Sequence, residues 1–136
     1  MYSRIILLII TVFILSENSL QAQNLIENNK RSGRWIEKDE QGFVFSEGYY
    51  RNGLRVGNWK YYLSPISRFT GVADITGSFD SDGMKTGKWT FISSNTKIRV
   101  DATFVNNKLE GPLSYHAPNG DTVSYTHLTL PTILRV

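Results

Sequence analysis

Short runs in which hydrophobic and polar residues alternate dominate the chain from residue 33 to residue 122. In Trp59–Tyr61 and again in Trp89–Phe91, the first and third side chains are aromatic and the middle one is polar. Alternation with a period of two is typical of a β-strand with one buried face, and no stretch sustains a helical period. The pattern predicts strands at 33–38, 42–50, 57–63, 69–79, 87–93, 97–105 and 110–116.

Turn-forming dipeptides separate these runs. Asparagine and glycine adopt positive φ at low cost, so pairs of them favour the tight turns of antiparallel hairpins. The sequence therefore predicts an all-β fold in which repeated antiparallel β-hairpins stack into an elongated meander sheet. The dipeptides are Asn52-Gly53, Asp82-Gly83 and Asn119-Gly120, with Asn106-Asn107 in the equivalent place of its own hairpin.

A Gly-x-Trp motif recurs and defines a repeated unit. Three copies and a degenerate fourth, Gly111–Leu113, follow one another at offsets of 24, 30 and 24 residues. The glycine of each copy either leaves room for an aromatic side chain of the neighbouring unit or marks a β-bulge. The aromatic side chains are expected to pack between units as a core. The structural positions of the repeat are Gly33, Trp35, Gly53, Gly57, Trp59, Gly83, Gly87, Trp89 and Gly111.

The first 22 residues are typical of a secretory signal peptide. Arg4 precedes an apolar segment of 11 residues, Ile5–Leu15, and a polar segment then ends at the small residue Ala22. A transmembrane helix needs about 20 apolar residues, so this segment is too short to span a membrane. We expect cleavage near Ala22, export to the periplasm or the extracellular space, a polar leader over 23–32 and no transmembrane segment in the mature chain.

Residues 123–136 resemble a translated sequencing adapter. The transposon-end adapter of common library preparation contains GTC TCT TAT ACA CAT CTG ACG CTG CCG ACG, whose ten codons encode residues 123–132 in order. The preceding CT is compatible with Thr122, and a later GTG TAG encodes Val136 and a stop. Our hypothesis is that this tail is a read-through artefact and that the natural protein continues differently near Asp121. Adapter-free re-sequencing should give another continuation; an identical tail would overturn the hypothesis.

Composition and charge exclude several classes of function. The chain has 15 Lys and Arg against 12 Asp and Glu, a net charge of +3, without the clustered basic residues of a nucleic-acid-binding protein. It has no cysteine, which excludes disulfides, thiolate catalysis and cysteine zinc sites. Hydrophobic residues make up 40%, enough for a folded domain rather than a disordered chain.

Motifs that resemble catalytic or ligand-binding sites are incomplete. Gly83–Thr90 resembles a phosphate-binding loop but has three residues between its glycines where four are required. Asp80–Gly83 resembles the start of a calcium loop without the later ligands, and a hairpin turn accounts for it better. His116 has no evident acidic partner or second metal ligand in the sequence. We therefore expect no enzymatic activity, no metal and no cofactor.

The Gly/aromatic repeat resembles the MORN-repeat variant family. The resemblance covers roughly 33–122, through the stretches 33–57, 48–62, 77–91 and 102–115, and the fourth copy departs from it at Pro112-Leu113. It implies a bacterial β-hairpin array that acts as a scaffold or binding surface and has no common catalytic residues. Some relatives carry an antitoxin-like label, and the best-known repeats of this kind are linked to lipid membranes and to protein assembly.

Adjacent tyrosines indicate a candidate binding face. Neighbours on a strand face opposite sides, so one tyrosine of Tyr49-Tyr50 and one of Tyr61-Tyr62 should be exposed beside basic residues. Such a face predicts a non-enzymatic exported module for protein–protein interaction or scaffolding, with a cell-envelope protein as partner. The alternative is that the same face binds an envelope glycan or an anionic lipid headgroup, and a hydrolase using turn carboxylates ranks third. The candidate binding residues are Tyr49, Tyr50, Arg51, Arg55, Lys60, Tyr62 and Lys88.

Overall fold

Nine strands follow one another across one antiparallel sheet in the computed structural model, which describes residues 23–125. Each strand pairs with its neighbours in the sequence, so the order of strands in the sheet is the order in the chain. The predicted all-β class and the meander of hairpins are confirmed. The elements are β1 (Leu25–Glu27), β2 (Lys30–Lys38), β3 (Val44–Arg51), β4 (Leu54–Tyr61), α1 (Pro65–Thr70), β5 (Ile75–Phe79), β6 (Lys85–Ile92), β7 (Arg99–Val105), β8 (Lys108–His116) and β9 (Thr122–Tyr125).

The predicted signal peptide and most of the adapter-like tail lie outside the described residues. Residues 1–22 and 126–136 are not described, whereas 123–125 belong to β9. Between residues 23 and 125, no helix has the length and apolar character needed to cross a membrane.

Two predicted segments have a different structure. The expected leader 23–32 forms β1 and the start of β2, because Asn28 and Asn29 both have positive φ, of 50° and 60°, and close a two-residue turn. The strand expected at 69–79 begins only at Ile75, and the helix α1 precedes it. The side chain of Ser64 caps the start of α1, and Gly71 ends it in the left-handed conformation.

The unit glycine of the second, third and fourth units lies inside its strand, at a β-bulge. Between β3 and β4, the three residues Gly57–Trp59 lie opposite the single residue Gly48. Gly57 has a φ of 65°, and a Cβ there would meet nothing within 4 Å. Gly87 and Gly111 also have a positive φ and the same open space, so these three glycines are required for their backbone conformation. For them the alternative expectation, that the glycine makes room for a side chain, is wrong.

Room for the tryptophans comes from a second set of glycines. A Cβ on Gly48 would lie 2.3 Å from the indole of Trp59, and one on Gly77 would lie 2.0 Å from the indole of Trp89. Each indole therefore lies across the backbone of the preceding strand, which is possible only because that strand has no side chain at this point.

The core is a series of aromatic side chains on one side of the sheet, which we call the aromatic face. Trp59 is 1% exposed and Trp89 is 2% exposed. The rings of Tyr50 and Phe79 meet these indoles edge to face, with centroid separations of 5.1 Å and 5.2 Å. The expectation that the repeated aromatic residues form the core holds for these positions. The face comprises Trp35, Tyr50, Trp59, Tyr61, Phe79, Trp89, Phe91, Phe104 and Leu113.

Candidate functional site

The seven predicted binding residues do not share one exposed face. Tyr50 and Arg55 belong to the aromatic face. Four others lie on the opposite side of the sheet, which we call the polar face. Exposure also differs from the expectation, because Tyr50 and Tyr62 are buried, at 8% and 7% exposed. The residues on the polar face are Tyr49, Lys60, Tyr62 and Lys88, and Arg51 is exposed at the end of β3.

Of the two tyrosine pairs, only Tyr49-Tyr50 follows the expected arrangement. Tyr49 is 45% exposed while Tyr50 is buried. In the second pair Tyr61 is half-buried and Tyr62 is buried. Tyr62 is held inward because its hydroxyl donates a hydrogen bond of 2.8 Å to Glu47, an interaction that alternation along the strand does not reveal.

Glu47 organises the first cluster of charges on the polar face. It accepts a hydrogen bond of 3.1 Å from Arg34 and lies 3.6 Å from the Lys60 ammonium. The hydrogen bond from Tyr62, with these two cations, holds the pKa of Glu47 below its ordinary value despite partial burial. Burial and the Glu47 carboxylate raise the pKa of Tyr62 to about 12.

Asp101 organises a second cluster. Its carboxylate lies 2.9 Å from Lys88 and 3.4 Å from Arg99, and it accepts a hydrogen bond from Thr90. Burial opposes the ionised form, but these partners lower the pKa of Asp101. His116 lies 3.2 Å from the same carboxylate, so it has an acidic partner that the sequence did not indicate. Lysine and arginine side chains of the polar face thus share carboxylates.

On the aromatic face, a cation covers the tryptophan of each of the first three units. The Arg31 guanidinium lies 4.6 Å from the ring centroid of Trp35. The cation is always two residues before the unit glycine. Sequence analysis missed these side chains, although comparison of the units in register would have found them. The other two pairs are Arg55 with Trp59, at 4.9 Å, and Lys85 with Trp89, at 5.0 Å.

The fourth unit lacks both members of this pair. Leu109 stands where the cation is expected, and Leu113 stands where the tryptophan is expected. Ala102 takes the place of the glycine that lies opposite the bulge in the second and third units. These three replacements remove the cation and the indole and leave aliphatic side chains in their places.

A cavity of about 430 Å³ lies at the fourth unit, and we call it the fourth-unit cavity. This volume is within the range of small-ligand sites, roughly 300–1,000 Å³. Among the residues that the structure describes, the lining is nearly all carbon, with Asn107 as its one amide side chain. Leu113 is 4% exposed at its base. The apolar side chains of the lining include Phe91, Val100, Phe104, Leu109, Leu113 and Tyr115.

Asp74 forms a separate polar cluster in the long connection between β4 and β5. It is 7% exposed and accepts hydrogen bonds from the backbone N–H groups of Leu63 and Ser64, at 2.7 Å and 2.8 Å. The hydroxyls of Ser67 and Ser94 also donate to it. All the donors belong to the protein's own loops and helix, so the cluster fixes the connection in place.

Two motifs considered in the sequence have structural roles. Asp80 accepts hydrogen bonds of 2.9 Å from the backbone N–H groups of Asp82 and Met84, as a hairpin-turn residue does. Lys88 lies within β6 rather than at the start of a helix. Over residues 23–125, no three His, Asp or Glu side chains are grouped so that they could hold a metal ion.

Comparison with known proteins gave no match, either among protein-family models or among curated proteins.

Proposed function

We propose that this chain is a non-enzymatic module that binds a protein partner through the fourth-unit cavity. The observation that carries the proposal is an open, carbon-lined cavity of about 430 Å³ at the C-terminal part of the aromatic face. Exposed apolar surface bounded by polar residues is characteristic of interaction sites, and pockets that receive one anchoring side chain supply much of the energy of protein interfaces.

The arrangement of charges supports protein binding over the alternative of an anionic lipid headgroup or a glycan. Arg34 and Lys60 both contact Glu47, and Lys88 contacts Asp101. These cations are therefore partly neutralised. A headgroup would have to compete with carboxylates already in place, whereas the cavity requires no such exchange.

The test is the capture of proteins from a cell-envelope extract by the mature chain, with quantification by mass spectrometry. We expect a partner that remains bound at high salt and is lost when Leu109→Glu places a charge in the cavity wall. The matched control is Val105→Glu, in the same hairpin, because Val105 follows Phe104 and so faces the opposite side of the sheet. A partner lost equally with both variants, or with neither, would contradict the proposed site.

A further inference from the structure

The first unit carries polar residues at three positions of the aromatic face where the second and third units are apolar or aromatic. The register of the sheet identifies these positions. The first-unit residues are Glu37, Ser46 and Tyr50; their equivalents are Tyr61, Ile75 and Phe79 in the second unit and Phe91, Val100 and Phe104 in the third. The sheet forms in those units without a carboxylate or a serine hydroxyl at these positions, so the fold alone does not explain the polar residues of the first unit.

The three polar side chains form one hydrogen-bonded cluster with two arginines. The Tyr50 hydroxyl accepts a hydrogen bond of 2.9 Å from Nη1 of Arg31 and one of 3.3 Å from Nε of Arg55. The Glu37 carboxylate accepts hydrogen bonds from Arg31 and from Ser46. Because both arginines donate to the same hydroxyl oxygen, their guanidinium groups are close neighbours. We call these five residues the first-unit cluster.

Arg55 is turned toward the first unit. In the third unit, the equivalent Lys85 lies 5.3 Å from the ring of Phe104, which is on the following strand. Arg55 instead donates its hydrogen bond to Tyr50, on the preceding strand. The third unit has neither a hydroxyl like that of Tyr50 nor a carboxylate like that of Glu37. The first-unit cluster therefore brings together two cations that belong to different units.

The first-unit cluster has one more positive charge than negative charge. Glu37 lies 2.5 Å from Arg31 but 4.0 Å from Arg55, too far for a hydrogen bond. Of the two guanidinium groups, only Nη1 of Arg31 and Nε of Arg55 donate hydrogen bonds within residues 23–125. The two side chains are accessible, at 46% and 41% exposed. An anion that binds both arginines would offset the remaining charge and the repulsion between them.

The charge and the shape of the cluster favour a carboxylate as this anion. A planar guanidinium binds a carboxylate through two parallel N–H bonds. One carboxylate supplies the single negative charge that neutralises the cluster, whereas a phosphate dianion would bring excess negative charge close to Glu37. The arginines are already oriented by Tyr50 and by their stacking on Trp35 and Trp59, so little side-chain freedom is lost on binding.

The first-unit cluster and the fourth-unit cavity lie on the same face of the sheet. The strand of Arg55, β4, and the strand of Leu109, β8, are separated by four strand spacings, roughly 19 Å. A protein interface of ordinary size can cover both sites. We infer that Arg31 and Arg55 bind the carboxylate of an aspartate or glutamate side chain of the protein partner. This inference rests on the proposed protein-binding function and adds a second, charged contact to it.

The first test needs no identified partner. The blocked peptide acetyl-Gly-Asp-Gly-amide is titrated into the mature chain at constant ionic strength while arginine Nε–H resonances are followed by NMR. We expect saturable shifts for Arg31 and Arg55 and none for Arg34, which pairs with Glu47 on the polar face. The matched control is acetyl-Gly-Asn-Gly-amide, which has the same shape without the charge and should shift none of them. Equal shifts with both peptides, equal shifts of all three arginines, or no shifts would overturn the inference.

The other units supply substitutions for the second test that the sheet already accepts. Arg55→Leu copies Leu109 of the fourth unit, and Tyr50→Phe copies the second and third units. We expect Arg55→Leu to weaken peptide binding and partner capture by about tenfold or more. Tyr50→Phe keeps both arginines but removes their shared acceptor, and should weaken binding by about threefold.

The matched control for the second test is Arg34→Leu, which removes a cation from the polar face and should leave both measurements unchanged. Thermal unfolding checks that each variant is folded. Undiminished binding by folded Arg55→Leu, or an equal loss with Arg34→Leu, would contradict the site. Inorganic phosphate that shifts the Arg31 and Arg55 resonances at lower concentration than the peptide would overturn the choice of a carboxylate.

The outcomes differ for the two proposals. A partner that is lost with Leu109→Glu but retained by folded Arg55→Leu would leave the proposed function standing and overturn the carboxylate inference. A partner that is lost with Arg55→Leu but retained with Leu109→Glu would contradict the cavity as the binding site and support the first-unit cluster. Peptide binding without any captured protein that depends on Arg55 would indicate a free small carboxylate and would overturn the assignment to a partner's side chain.

Discussion

At the scale of single residues, the carboxylate of Asp74 joins segments that are distant in sequence. Its donors come from the segment between β4 and α1, from α1 and from the loop after β6. Burial alone would raise the pKa of this carboxyl group, but the hydrogen bonds from Ser67, Ser94, Ser64 and Leu63 outweigh it and hold the pKa well below the ordinary value. Asp74 therefore stabilises the fold in its ionised form.

The stabilisation from Asp74 should depend on pH in a defined direction. A depressed pKa means that the contribution is complete above the unfolded pKa of about 3.9 and is lost as the pH falls through the lower, folded pKa. We expect Asp74→Asn to lower the free energy of unfolding by about 1–3 kcal/mol at pH 7, with a smaller difference from the wild type in acid. Denaturant titrations at several pH values measure this, with the exposed Asp82→Asn as control. A difference independent of pH would contradict the role of the ionised carboxylate.

At the scale of elements, the strands and tight turns could be predicted from the sequence, the bulges only as one of two alternatives, and the helix not at all. Alternation locates strands because it reports a buried face directly. The helix α1 has only six residues, too few to display a helical period. The strands that contain a unit glycine begin two or three residues before the predicted start. The glycine marks a bulge inside the strand, and in the sequence a glycine there resembles the start of a turn.

The exposure of the candidate binding residues is decided partly by contacts between strands, and the alternation of residues along one strand does not show these contacts. The prediction for Tyr49 and Tyr50 held because local alternation decides it. The burial of Tyr62 depends on Glu47, 15 residues away. The fourth-unit cavity could have been inferred from the sequence only by comparing the units position by position, through Leu109 and Leu113.

A glycine lies under the indole of Trp59 and of Trp89, whereas Ala102 lies opposite the bulge that contains Leu113. This difference leads to a prediction for the β7–β8 hairpin. We expect Leu113→Trp alone to destabilise the chain by about 1–3 kcal/mol, because the indole meets the methyl group of Ala102. Ala102→Gly should restore much of that loss when combined with it, although glycine alone weakens a strand by about 0.5–1 kcal/mol. A double-mutant cycle in chemical denaturation measures the coupling. Additive costs would show that the two side chains do not compete for the same space.

At the scale of the whole molecule, each strand pairs only with its neighbours in the sequence. The loss of unfolding free energy when an aromatic side chain is removed should therefore depend on where that side chain lies in the sheet. Trp59 contacts Tyr50, Tyr61 and Phe79, whereas Trp35 is half-buried near the edge and packs on Tyr50. Stability in such arrays is approximately a sum of local and nearest-neighbour terms.

We expect Trp59→Ala to lower the free energy of unfolding by about 3–5 kcal/mol, and Trp35→Ala to lower it clearly less. Chemical denaturation measures both values. Hydrogen exchange should show that Trp35→Ala exposes the amides of β1 and β2 while those of β6 and β7 remain protected. Equal costs, or uniform loss of protection, would indicate that the sheet unfolds as a single cooperative unit instead.

The agreement between strand order and chain order has a consequence for the order in which the sheet folds. Every hairpin can pair as soon as its two strands have reached the compartment in which the chain folds, since no strand waits for a partner that is distant in the sequence. The sheet can therefore grow in the direction of synthesis, each completed hairpin serving as the template for the next. The same order would let the sheet grow from its N-terminal end while the rest of the chain is still being exported.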